Sequence, residues 1–127
     1  LSAAGGAAAT DAIRVGTGIA VALARNPMLV AIQANDIQTY SAGRFSLGLG
    51  SQIKPHIERR YSMPYSAPAA RMREFILAVR AIWTSWERSS TLDFEGDFYS
   101  HTLMTPCLTL DPIRTATRQS SSPPSAR

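Results

Sequence analysis

The apolar positions of this chain change period several times, and each change marks an element. Ile13-Arg14-Val15-Gly16-Thr17-Gly18-Ile19-Ala20-Val21-Ala22 is rich in β-branched side chains and broken by two glycines, which predicts a buried strand running into a loop. Asn26-Pro27 reads as a helix start: Asn caps a first turn well, and proline is favoured just inside it, where an N–H would lack a partner anyway. Val30, Ala34, Ile37 and Tyr40 then recur at steps of three or four and predict one buried helix face. Gly43 is the expected stop. In Gly43-Arg44-Phe45-Ser46-Leu47-Gly48-Leu49-Gly50 the large residues alternate with small ones. That is the pattern of a strand that can be covered on both faces, with glycines that let a ligand or another backbone come close. Strand, helix and strand joined by short links make a βαβ unit, so parallel strands are expected.

Beyond Gly50 the periodicity lapses. Residues 51–61 form a long polar connection with Pro55 inside it and Pro64 soon after, and connections of this length are often functional. Ser66 is the expected cap of the next helix and Pro68 lies in its first turn. Met72, Phe75, Ile76, Val79, Ile82, Trp83 and Trp86 make a wide apolar stripe, read as core packing. Arg71, Glu74, Arg80 and Thr84 lie largely off it. Phe94, Gly96 and Phe98 alternate around an acidic turn within residues 92–100, which predicts a small hairpin or an extended insertion.

Composition narrows the picture without changing it. The 127 residues, 45% hydrophobic, suffice for one domain with a modest core. Twelve of the thirteen basic residues are Arg and the net charge is +4. They are scattered, whereas nucleic-acid binding calls for a basic stripe with interleaved aromatics, so no nucleic-acid partner is expected. Cys107 stands alone, which excludes a disulfide framework and favours a cytoplasmic setting. Residues 1–9 are small and lack a basic leader or a bulky apolar run, so neither a secretory signal nor a membrane span is expected there.

Three segments together resemble a known family. Ile13-Arg14-Val15-Gly16-Thr17-Gly18-Ile19, then Asn26-Pro27, then Ser41-Ala42-Gly43-Arg44-Phe45-Ser46-Leu47-Gly48-Leu49-Gly50 look like the luciferase-like monooxygenase superfamily. Lys54-Pro55-His56-Ile57-Glu58-Arg59-Arg60 and Arg71-Met72-Arg73-Glu74-Phe75 are most similar to its deazaflavin-dependent oxidoreductase branch. The resemblance covers about residues 10–106. It implies an α/β fold that is part of a TIM (β/α)8 barrel, with about two βα units present. It also implies the deazaflavin coenzyme F-420, or alternatively FMN, a small-molecule substrate, hydride transfer or monooxygenation, and homo-oligomeric intact relatives.

Carried over residue by residue, the resemblance makes Thr17, Gly18 and Ile19 a cofactor-binding segment. Its Gly18–Ile19 bond would be the bulge or non-proline cis peptide that props the ring from behind. Gly50, Ser51 and Gln52 match the turn beyond the next strand, at the C-terminal face where barrels place their active sites. His56 is the candidate catalytic proton donor, since imidazole titrates near neutrality. Plainer readings stand beside these. Gly16 and Gly18 could simply relieve crowding in a buried strand, His56 could be a loop or subunit-contact histidine, and Glu58, Arg59 and Arg60 read as a solvated or interfacial charge cluster.

From Cys107 the character changes to a Ser/Pro-rich tail, so the chain divides into a barrel-like part, residues 1–106, and residues 107–127, expected to be disordered. The tail also permits a second text. Read one base earlier, residues 113–127 can encode Asn-Pro-Tyr-Gly-His-Pro-Pro-Val-Phe-Leu-Ala-Ala-Val-Gly-Pro, a proline-rich lead-in and an apolar strand ending in glycine. A frameshift near Cys107 is therefore an expectation, and with it a truncated barrel that binds cofactor poorly and has little activity alone. The alternative to an oxidoreductase fragment is a small non-enzymatic α/β module that pairs through its open sheet edge.

Overall fold

The computed structural model describes residues 3–105; the predicted tail, residues 107–127, lies outside them. The order is α1 (Ala3–Ala9), β1 (Val15–Gly16), β2 (Ala20–Val21), a 3-10 turn (Ala22–Ala24), α2 (Pro27–Tyr40), β3 (Phe45–Ser46), β4 (Leu49–Gly50), a π-helical turn (His56–Arg60), α3 (Pro68–Arg88), β5 (Phe94–Glu95) and β6 (Ser100–His101). The expected parallel pairing is present. Val15 lies beside Phe45 in β1–β3, and Ala20 beside Leu49 in β2–β4. Each of the two expected strands is interrupted near its middle, so the βαβ unit carries two short ladders instead of one long one. With α2 linking the parallel strands and no closed barrel among the described residues, the architecture is a partial TIM-barrel α/β fold.

Local chemistry accounts for most of the boundaries. The Asn26 side chain accepts from the Met28 N–H at 2.8 Å, and Pro27 follows at the first helical position. At the other end Ser41 caps α2, and Gly43 adopts φ 85°, where a side chain would be strained. Val30, Ala34 and Ile37 are buried as expected, but Tyr40 is 64% exposed and Ala31 and Gln38 are buried in addition. The last helical turn has already swung past the core at position 40. Gln38 is buried because its Oε1 accepts from the Phe45 N–H at 3.0 Å, joining helix end to strand start.

Two expectations for α3 are corrected. Ser66 does not cap it: the cap position is Ala67, with φ 42° and no side-chain hydrogen bond. Ile76 is 36% exposed, so the buried stripe consists of Phe75, Ala78, Val79, Ile82, Ser85 and Trp86. Met72 and Trp83 flank it, half-buried. These residues pack against Ala22, Val30 and Ala31, and Leu92 closes the cluster. A smaller cluster joins Ala3, Ala34, Ile37 and Phe45.

The N-terminal stretch forms α1, which small-residue composition alone had not marked as a helix. Arg44 holds its C-terminal end. The guanidinium donates to the carbonyls of Ala7 (3.2 Å) and Ile13 (2.8 Å) and to the Thr10 hydroxyl (3.2 Å), while Nε donates to the Ser41 carbonyl at 2.8 Å. The expected hairpin is present as β5–β6, antiparallel, with Phe94 opposite His101. No helix among the described residues is long and apolar enough to cross a membrane.

Candidate functional site

The break in the strand ladders is where the two halves of the βαβ unit come closest. On one side of it the Thr17 N–H donates to the Ser46 carbonyl at 3.2 Å; on the other the Ala20 N–H donates to the Gly48 carbonyl at 2.8 Å. Between them the Thr17 hydroxyl does the work of a missing ladder rung. It donates to the Gly48 carbonyl at 2.8 Å and accepts from the Gly48 N–H at 2.9 Å, satisfying both backbone groups of one residue. Glycine is required for this approach, because a Cβ at position 48 would fall on the Thr17 carbonyl oxygen. Thr17→Val should therefore lose about 2 kcal/mol of stability by orphaning the Gly48 N–H, the carbonyl keeping its bond from the Ala20 N–H, while Thr17→Ser keeps the hydroxyl and loses less than about 1 kcal/mol. Urea unfolding of the two variants checks this, and equal losses would refute the role of the hydroxyl.

Past Thr17 the Gly18–Ile19 peptide bond is cis, the bond to which the family resemblance pointed. An added Cβ at Gly18 would meet nothing within 4 Å, and Ile19 is 50% exposed. The Ile19 side chain lies across Gly50, occupying the space where a Cβ at position 50 would be. Residues 17–19 and Gly50 thus form one small apolar platform, open on the Gly18 side. Gly50 leads into Ser51 and Gln52, both half-buried, with Gln52 at φ 61°. The Gln52 Oε1 lies 3.1 Å from His56 Nδ1, a hydrogen bond when that nitrogen carries the proton.

The structure therefore brings together Thr17, Gly18, Ile19 and Gly50 as one group, and Gln52 with His56 as another, with Ser51 on the turn between them. The hydrogen bond of His56 goes to Gln52, four residues earlier, and not to the platform. The polar connection is more ordered than its composition suggests. It contains the π-helical turn His56–Arg60, anchored by the fully buried Ile57. Glu58 faces Lys54 at 4.0 Å, and Arg59 and Arg60 are exposed, as expected of a solvated charge cluster. Among the described residues no group of His, Cys, Asp and Glu could hold a metal ion.

Two polar residues escaped the sequence reading. Glu74 accepts from three consecutive backbone amides of the β5–β6 turn. No local signal marked this role, because the amides it meets lie more than 20 residues further along the chain. His101 has a buried Nε2 without a hydrogen-bond partner among the described residues, and burial pushes its pKa below the ordinary imidazole value of 6.5. A neutral ring is thus favoured in the folded state, and the unfolded chain binds the proton more readily. Stability contributed by this group is fully present above about pH 6.5 and is lost as pH falls below it. Urea midpoints at about pH 7.5 and 5.5 should differ in the chain and differ less in His101→Phe; an unchanged difference would discount this histidine.

The parallel βαβ unit, with Gly18–Ile19 at the break between β1 and β2 and the turn Gly50-Ser51-Gln52 at the C-terminal end of β4, is part of a TIM-barrel fold. The family model for luciferase-like monooxygenases matches residues 1–125, and the chain belongs to that family. It is 58% identical over 103 residues to Rv1360, an uncharacterised protein of Mycobacterium tuberculosis H37Rv; the match covers 81% of this chain and 30% of that protein. It is 34% identical over 90 residues to Rv3520c of the same strain, whose name describes a coenzyme F-420-dependent oxidoreductase; there the shares are 71% and 25%. A crystal structure of the monooxygenase RslO1 from Streptomyces bottropensis superposes with a TM-score of 0.71 at 25% identity, over 84% of this chain and 30% of that one. The chain spans about 30% of the length of the curated relatives it matches first.

Proposed function

We propose that this chain supplies the cofactor-facing start of a luciferase-like oxidoreductase that uses coenzyme F-420, or alternatively FMN, to act on a small organic molecule. The observation that carries this is the open apolar platform at Gly18–Ile19, beside Gly50, which leads into the polar turn Ser51-Gln52, where Gln52 meets His56. A flat heteroaromatic ring fits such a place: the platform offers an apolar face without a projecting side chain at Gly18, and the turn offers hydrogen-bonding groups at its edge. When bound, the cofactor supplies hydride transfer or, for FMN, the activation of oxygen. Ile19 would contact the ring face, seated on Gly50, while Thr17 pins the platform from within the sheet. Ser51 and Gln52 would address the polar edge, and Gln52 orients the imidazole of His56, the proposed proton donor to substrate.

Titration of F-420 and FMN, oxidised and reduced, into the chain while following cofactor fluorescence tests the reading. Saturable binding is expected, weak because the platform is one wall of a larger site. In Gly18→Ala a methyl enters the open space without a clash in the fold, so circular dichroism should be unchanged and binding about tenfold weaker, some 1.4 kcal/mol. Unaltered binding would remove the platform from the site. A cofactor-free oligomer of defined size would support the pairing module instead.

A further inference from the structure

We propose that Glu74 and Arg71 are positioning residues that couple the β5–β6 turn to the loop behind His56, so that the hairpin braces the backbone of the His56 turn. Glu74 Oε1 accepts from the Asp97 N–H at 2.5 Å, and Oε2 accepts from Phe98 (2.6 Å) and Tyr99 (3.0 Å). Three successive amides converging on one carboxylate form charge-assisted bonds that fix the turn in one conformation. With the turn fixed, Phe98 and Tyr99 present their rings to Arg71, one helical turn before Glu74. The guanidinium carbon lies 5.3 Å from the Phe98 ring centroid and 6.0 Å from that of Tyr99, within cation–π range.

Arg71 also reaches in the other direction. Its Nη1 donates to the Pro64 carbonyl at 3.2 Å. Pro64 directly follows Met63, whose N–H donates to the Ile57 carbonyl at 3.0 Å, and Tyr61 donates to the His56 carbonyl at 3.1 Å. The path therefore runs from the hairpin turn through Glu74 and the two rings to Arg71, and from there to the backbone that closes the His56 helical turn. A long arginine free in water samples many rotamers; stacked on two rings it samples few and can hold its carbonyl partner. The value of His56 as a donor rests on the functional reading above, but the coupling does not, and its test needs no cofactor.

Amide hydrogen exchange of the chain, resolved by residue, reads the coupling. In Glu74→Ala the amides of Asp97, Phe98 and Tyr99 should exchange at least about tenfold faster, and those of Met63 and Tyr61 should also speed up. In Arg71→Ala the Met63 and Tyr61 amides should speed up while Asp97 changes little. Arg71→Lys should behave like Arg71→Ala, since a lysine keeps the charge but not the planar fork. The core amide of Ile82 serves as the measure of global stability. If Glu74→Ala speeds Ile82 as well, Glu74→Gln decides, because it turns one acceptor into a donor facing amide donors while preserving shape. Acceleration confined to residues 97–99, or Met63 and Tyr61 at unchanged rates in the Arg71 variants, would overturn the proposal.

Discussion

Gly48→Ala is expected to cost about 3 kcal/mol of stability, at the upper end of what overpacking produces, and to lower Tm by more than roughly 10 °C. The added methyl would fall on the carbonyl oxygen of Thr17, which is backbone and cannot step aside without opening the strand pair. Relief by separating the strands would also break both hydrogen bonds between the Thr17 hydroxyl and Gly48. Gly50→Ala is the informative contrast. There the methyl would meet the Cδ1 end of Ile19, a side-chain tip that is half in solvent and can rotate away, so the loss should stay below about 1 kcal/mol. It should nevertheless disturb cofactor binding, because Ile19 would leave its place on the platform. Thermal unfolding followed by circular dichroism measures both variants. Similar losses at the two positions would mean that the platform is not built as described.

A second large effect is expected in the core. Phe75→Ala should destabilise the chain by about 3–5 kcal/mol, the usual range for emptying a buried phenylalanine site. Phe75 is fully buried and meets the Tyr99 ring edge-on, with centroids 5.7 Å apart and planes at 85°. Its loss therefore removes core packing and a contact of the hairpin at once. Against a total stability of about 5–15 kcal/mol for a domain, such a loss leaves little or nothing. Ile76→Ala, one residue further on the same helix and 36% exposed, should change stability by less than about 1 kcal/mol. Urea midpoints of the pair decide the matter; a comparable cost at Ile76 would show that the outer face of α3 is packed as tightly as the inner one.

Much of this could be read from residue order because the signals are local. Asn26-Pro27 starts α2 and Gly43 ends its turn, since capping and left-handed backbone depend on the residues at hand. The alternation at 45–50 and the β-branched run at 13–22 predicted parallel strands, and they pair in that sense. The stripe through Phe75, Val79, Ile82 and Trp86 is the core of α3. Errors fell where a local signal was overruled by position in space. Tyr40 and Ile76 have the right period but sit at the edges of their buried arcs, and Ser66 is one residue too early to cap a helix that begins at Pro68. The buried Ile57 made an ordered turn of what composition marked only as a polar connection.

The order of residues by itself determined α2, α3, the strand-forming stretches and their parallel sense, the family resemblance and the stretches in which a cofactor platform and its polar turn would lie. Periodicity, capping and glycine placement act over a few residues, and the chain carries them wherever it goes. Only the tertiary structure decided what these stretches do to each other. It set the Thr17 hydroxyl against both backbone groups of Gly48, 31 residues away, laid Ile19 over Gly50, and closed Glu74 on a turn more than 20 residues further along. Such pairings depend on register and distance between segments remote in sequence, and no local pattern encodes which hydroxyl or carboxylate will satisfy which distant amide.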